Sequence, residues 1–349
     1  MLSFEQLRLL VHLKQYGIAG KETCLMFVGE YSLRPLIRHK YISRNNEIYR
    51  LLKKGFELTS HVQILVTITG NAGVIERGLR TSYVAALFGM AGINSSGMLR
   101  NNAFIPSNKW REIRDGIIST TRFNGMLCYK GLRLAVYYIG NGDFEWQAFA
   151  EGSLFFRKYG TYETQATGMM LICDGDYIGI AEKILRFTIS NRKALLKRTS
   201  LESNRKRVYS VGQIRLRSNY EKVYITDKND LLHTLQMAAN EERFVDYFVA
   251  KSQGMRGRDE CDFEVYPNRY FVNLQGDLLK FAMFYDMTKN SVAFVEHMKE
   301  KGENYESPIK HHILVSKKFE RIAKMYDFPF TSHIVGDDLI GGILNGANS

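Results

Sequence analysis

Cysteine is scarce in this chain of 349 residues, and the four present, Cys24, Cys128, Cys173 and Cys261, lie far apart in apolar stretches. Such spacing offers neither the paired thiols of a zinc site nor a disulfide framework, so they read as buried thiols in a reducing cytoplasm. Long apolar runs are missing too. No stretch approaches the roughly 20 residues that a membrane helix needs, and Glu5 stands where a signal peptide would build its apolar segment. The expectation is a cytoplasmic protein with no membrane partner. No Gly-x-x-x-x-Gly-Lys-Ser/Thr loop occurs, which argues against ATP hydrolysis by a P-loop. His311-His312 lacks the His-hydrophobe-His spacing of a rolling-circle relaxase, and no such triplet occurs elsewhere.

Carboxylates are outnumbered: 36 Asp and Glu face 48 Lys and Arg, for a net charge of +12. That surplus attracts phosphate backbones or anionic surfaces. Hydrophobic residues at 45% and charged residues at 24% are ordinary for a folded protein. The length suits two domains, or one with a large appendage.

Along the chain, Phe4, Leu7, Leu10, Val11 and Leu13 follow helical spacing, and Gly17 and Gly20 break it. A short helix follows over Lys21 to Val28. Ser32 is the expected N-cap of a third, with Pro35 in its first turn and its end near Tyr41. Two short strands then flank Asn45-Asn46, a pair suited to a tight turn. Three helices and a hairpin make residues 1–60 a winged helix-turn-helix, followed by a helical connector over 61–118 and a mixed α/β domain over 119–349. In the connector a helix is expected over Arg80 to Gly89 and a loop over Gly92 to Ser107, with a helix from Asn108. The α/β domain should open with a hairpin, Arg122 to Tyr129 and Leu132 to Ile139 about Lys130-Gly131. A helix from Trp146, a buried strand Met169 to Cys173 and a helix from Tyr177 come next. Further strands are expected at 222–225, 263–266, 270–273 and 312–315, with helices over 230–237, 278–286 and 317–326.

In a winged helix the third helix enters the major groove. Here it offers Ser32, Arg34, Arg38 and His39 to base edges. The hairpin sets Arg44, Asn45 and Asn46 against a neighbouring groove or the backbone, while Lys40, Arg50, Lys53 and Lys54 attract phosphates whatever the sequence. Residues 1–60 carry a net charge of +5. A protein-docking role for the same fold is the alternative, and the basic face argues for DNA.

The run Tyr41-Ile42-Ser43 through Tyr49-Arg50-Leu51 to Lys53-Lys54-Gly55 and Leu58 resembles the wing and following Lys-Gly step of MarR-type regulators. More of the chain is similar to the replication-relaxation family of plasmids and conjugative elements. The likeness rests on Tyr49-Arg50-Leu51 with Lys54-Gly55, then Val84 to Ile93, then Ala135 to Ile139 with Trp146. It implies a winged helix joined to a nuclease-like α/β domain.

A restriction-endonuclease-like core would need an upstream acid and an acid followed two positions later by Lys or a substitute, to hold Mg²⁺. The nearest candidates are Asp143, Glu145 and Gln147. Between Asp115 and Asp143 there is no Asp or Glu, so Asp115 alone could serve upstream. The departure favours a core that has lost its metal site, with Asp143 in a turn and Glu145 opening a helix. Asp174-Gly175-Asp176 either holds a cation or turns the chain into a helix that Asp176 caps, and the second is favoured. Asp262 and Glu264 share one face of an expected strand. The stretch from Arg186 to Lys222, including Arg205, Lys206 and Arg207, is the most basic of the chain, and either grips a phosphate backbone or is a solvated surface.

The reading is a double-stranded DNA-binding protein, acting alone or as a homodimer, that serves as a transcription regulator or as a replication or transfer accessory of a mobile element. No enzyme activity and no cofactor are expected. Mg²⁺ would enter only if the chain were a nuclease; a protein-docking adaptor is the other alternative.

Overall fold

The computed structural model describes residues 1–68, 70–113, 123–140, 168–180, 201–203, 206–208, 222–240, 263–265, 268–272, 278–280, 311–316, 320, 331–335 and 342. The fold is mixed helix and strand, and its largest sheet has six strands with both parallel and antiparallel neighbours. The chain forms two compact units, Met1–Tyr138 and Ile139–Ser349.

The first unit opens with α1 (Phe4–Tyr16), β1 (Ala19–Gly20), α2 (Lys21–Phe27), α3 (Glu30–Arg38), β2 (Ile42–Asn45), β3 (Ile48–Leu51) and α4 (Lys53–Leu58). The strands form a small antiparallel sheet in the order β1-β3-β2. Leu9, Leu10 and Leu13 of α1 meet Cys24, Leu33, Leu36, Ile42, Tyr49 and Leu51 in one buried cluster. These positions recur at helical spacing in the helices and at alternate positions in β3, so one apolar face per element closes the core.

Helix α5 (Ala72–Met90) starts eight residues before the expected Arg80. Asn71 caps it by accepting from Val74 N–H, and every residue from Thr81 to Phe88 is buried. The glycines at 73 and 78 hide this first half from a propensity reading, yet Gly78 lies where a side chain would collide with Ile68. The expected loop over 92–107 contains β4 (Asn94–Ser95) and β5 (Ala103–Pro106), and α6 begins at Ser107. All four residues of β5 are buried, and β4 pairs with one edge of the strand and β6 with the other.

The hairpin β6 (Gly125–Tyr129) and β7 (Leu132–Gly140) turns at Lys130-Gly131, as expected. Both turn residues have positive φ, +45° and +85°, as a two-residue turn that follows strand twist requires.

In the second unit, β8 (Gly168–Cys173) pairs in parallel with β11 (Lys222–Asp227), and α7 (Leu231–Ala239) follows β11. The short strands β9 (Leu201–Ser203) and β10 (Lys206–Val208) form an antiparallel pair. A five-stranded sheet runs β12 (Phe263–Val265), β13 (Asn268–Val272), β14 (Leu278–Lys280), β15 (His311–Ser316) and β16 (Thr331–Val335). Its first two pairings are antiparallel and its last two parallel. Strand β14 overturns the helix expected from Leu278: a short apolar run has no period of its own, and here neighbours on both edges supply its hydrogen bonds. The helix expected over 317–326 lies almost wholly outside the described residues.

Candidate nucleic-acid interface

Helix α3 is capped by Gly29, so the expected cap Ser32 lies inside the helix and Pro35 falls beyond its first turn. Gly29 takes the extended conformation that starts the helix, and Ser32 N–H donates to its carbonyl at 2.9 Å. The helix closes at Arg38 rather than near Tyr41. Tyr41 N–H donates to the Leu36 carbonyl and Lys40 N–H to the Ile37 carbonyl, with Lys40 at φ +59°. That is a Schellman close with lysine in the place glycine usually takes.

One face of α3 buries Leu33 and Leu36; the other exposes Tyr31, Arg34, Pro35 and Arg38, with His39 and Lys40 exposed just beyond. Ser32 is half-buried, so it is peripheral to the exposed face. A relay from α1 orients the helix. The buried Gln6 accepts from Ser3 N–H at 2.9 Å through Oε1 and donates from Nε2 to the Ser32 carbonyl at 3.0 Å. A capping box at the start of α1 thus also pins α3. Lys21 and Glu30 bridge α2 and α3 at 3.3 Å.

The β2–β3 turn is formed by Asn46 and Glu47, at φ +45° and +61°, and Asn45 is the last residue of β2. The turn expected at Asn45-Asn46 is therefore one residue later. Asparagine tolerates the left-handed region, but glutamate does so rarely. Arg44, Asn45, Asn46 and Glu47 are all exposed, with Arg44 Nη2 3.8 Å from Glu47 Oε1. The Arg44 guanidinium also stands over Tyr49, 6.0 Å from the ring centroid.

Arg50 on β3 and Lys53 and Lys54 in the first turn of α4 are exposed. Lysines at a helix N-terminus oppose its dipole, so helix stability does not account for them. Among the described residues, Arg34, Arg38, Arg50, Lys53 and Lys54 have no carboxylate ion-pair partner. Gly55 explains the Lys-Gly step: a Cβ there would lie 2.5 Å from the Tyr41 carbonyl oxygen and 2.6 Å from Leu51 Cδ2.

The chain matches no protein family, no curated protein and no solved structure.

Lys206 and Arg207 lie on β10, where Arg207 faces Glu202 in register, whereas Arg205 lies outside the described residues. So do Asp115, Asp143, Glu145, Gln147, Cys261 and Asp262. Glu264 sits in β12 opposite Arg269. Asp174-Gly175-Asp176 makes the strand-to-helix turn: Gly175 has φ +85°, and Asp176 Oδ1 accepts from Gly179 N–H at 2.9 Å. Asp227 closes the turn after β11, accepting from Asn229 and Asp230 N–H, both at 2.8 Å. Asp176 is occupied as a helix cap, and Asp227 as the acceptor of the turn that leads into α7.

Cys24, Cys128 and Cys173 are buried free thiols. Burial pushes Cys24 and Cys173 up to about 12 and Cys128 up to about 11, so at neutral pH they stay protonated and unreactive. No helix among the described residues is long and apolar enough to cross a membrane.

Sequence reasoning missed Tyr31 and Pro35 as parts of the exposed face. Placing the cap at Ser32 left Tyr31 outside the helix, and Pro35 was read only as a residue tolerated in a first turn. Two glycine-flanked helices in succession, with Gly29 as the break, were the available signal.

Proposed function

We propose that residues 1–60 form a winged helix-turn-helix that binds double-stranded DNA. The observation that carries this reading is the pair Arg34 and Arg38, one turn apart and both exposed on α3, with no carboxylate partner among the described residues. The element order α1-β1-α2-α3-β2-β3 and the strand order β1-β3-β2 support it. In this arrangement α3 lies in the major groove, where an arginine donates two parallel hydrogen bonds to guanine O6 and N7. The hairpin brings Arg44, Asn45 and Asn46 to the adjoining groove or backbone. Lys40, Arg50, Lys53 and Lys54 supply attraction that ignores sequence.

We assign the chain to the regulators or the replication and transfer accessory proteins of mobile elements, on its resemblance to the replication-relaxation family. A homodimer would set two α3 helices about 34 Å apart, on successive turns of one face of the duplex.

The test is fluorescence anisotropy of the full chain with labelled duplexes over a salt series, in Mg²⁺ and in chelator. Log affinity should fall linearly with log salt, by about 0.9 per phosphate neutralised, and chelation should change nothing. Cleavage of the duplex in Mg²⁺ would promote a nuclease. No duplex binding at low salt would leave α3 as a protein-docking surface.

A further inference from the structure

The exposed face of α3 is not uniformly polar. Tyr31 is 81% exposed, and Pro35, four residues later, is exposed on the same face. Neither contributes to the buried cluster beneath, which draws on Leu33 and Leu36. Pro35 is also costly where it stands, since a proline inside a helix removes the N–H that would donate to the Tyr31 carbonyl and crowds that carbonyl. A residue that weakens its helix and stays outside the buried cluster calls for another reason at the surface.

Residues at i and i+4 lie one above the other, so Tyr31 and Pro35 form an apolar ridge about 6 Å long. Arg34 and Arg38 run along one side of it over a like span, close to two base steps of a duplex. The Arg34 guanidinium stands over the Tyr31 ring, 5.2 Å from its centroid. That stacking restricts Arg34 before any ligand arrives and keeps the aromatic ring beside the cation.

In the major groove the apolar group on a base edge is the thymine C5-methyl, and the best partner for arginine is guanine. We infer that α3 selects duplex sites in which thymine lies within two base steps of guanine, with Tyr31 and Pro35 packing on thymine methyls and Arg34 and Arg38 reading the guanines. The charges decide the kind of occupant: an apolar ridge beside two arginines that have no carboxylate partner among the described residues, in a segment of net charge +5, fits an anionic groove better than an apolar protein surface. This inference rests on the DNA-binding reading and adds a base preference to it.

The experiment is selection of tight-binding duplexes from a random pool by the full chain, followed by synthesis of the selected duplexes with deoxyuridine in place of thymidine. Uracil keeps every hydrogen-bonding group of thymine and lacks only the methyl. The substitution should weaken binding roughly four-fold for each methyl that α3 covers, the value of one buried methylene. Tyr31→Ala and Pro35→Ala should each narrow the preference for thymine over uracil by roughly four-fold per methyl that residue covers, the double variant should bind both duplexes nearly alike, and Pro35→Ala should also raise the melting temperature, separating an effect on the interface from an effect on folding. Tight selected duplexes that bind equally well with uracil would overturn the thymine assignment and leave DNA binding standing. Failure to enrich any duplex would overturn both.

Discussion

His12 Nε2 on α1 lies 2.8 Å from Ser82 Oγ on α5, seventy residues away, in a site closed to water. The ring stacks on Tyr16 at 4.8 Å and lies 4.9 Å from Phe27. Desolvation lowers the pKa of His12 from 6.5 to about 3, so the imidazole is neutral in the folded protein. Below pH 6.5 the unfolded chain takes up a proton that the folded chain refuses. Folding stability should therefore fall with decreasing pH, by up to about 1.4 kcal/mol per unit from this group. Denaturant titrations between pH 7.5 and 5 should show a steeper loss for the wild type than for His12→Gln. Equal slopes would mean that His12 is solvated.

Gly55 bears on the packing of α4 beneath the hairpin. Gly55→Ala puts a methyl against the Tyr41 carbonyl and Leu51, with no flexible group to give way on the carbonyl side. The expected cost is about 1–3 kcal/mol in urea denaturation, with an unchanged m-value. A neutral result would show that α4 does not seat on β3 as described.

At the hairpin tip, Glu47 holds a left-handed φ of +61° and pairs with Arg44. Glu47→Gly relieves the conformational cost, releases Arg44 and removes a negative charge from a surface proposed to meet phosphate. Stability should rise by about 0.5 kcal/mol, and affinity for random duplex DNA should rise with a steeper salt slope. Unchanged DNA affinity would detach the tip from the interface.

Arg34→Ala and Arg38→Ala should each weaken binding to selected duplexes by about 1–3 kcal/mol while altering random-sequence binding much less. Both side chains are exposed, so thermal stability should hold. If both variants keep the parent's affinity for selected duplexes, α3 is not the reading helix.

The basic segment around β10 is tested by replacing Arg205, Lys206 and Arg207 together with alanine. If they neutralise phosphate, affinity for selected and random DNA should fall alike, and the salt slope should become shallower by about one unit for each phosphate no longer neutralised. The parent's affinity and slope in the triple variant would confine DNA binding to the first unit.

Where local chemistry dominates, the amino-acid sequence alone determined the outcome. Lys130-Gly131 between two apolar runs is a hairpin in any context, and Asp176 after a buried strand has a helix N-terminus within reach of its carboxylate. The helices at the N-terminus were legible from their apolar spacing. Elements whose partners lie far along the chain were not. Ala103–Pro106 is a strand because β4 and β6 satisfy its two edges, and Leu278–Lys280 is one because β13 and β15 do. The first half of α5 forms despite Gly73 and Gly78, and at Gly78 close packing against Ile68 favours a residue with no side chain. His12 is one of eight histidines by sequence; only the closure of α5 over α1, with Ser82 at hydrogen-bond distance, makes it a buried neutral group. The exposed face of α3 belongs to the same class. Its charges could be counted from the sequence, but where the helix starts, and so which residues stand beside Arg34 and Arg38, was decided by Gly29 and by the hold of Gln6 on the Ser32 carbonyl. Successive residues of a helix are offset by about 100°, and which of them face solvent is set by tertiary packing.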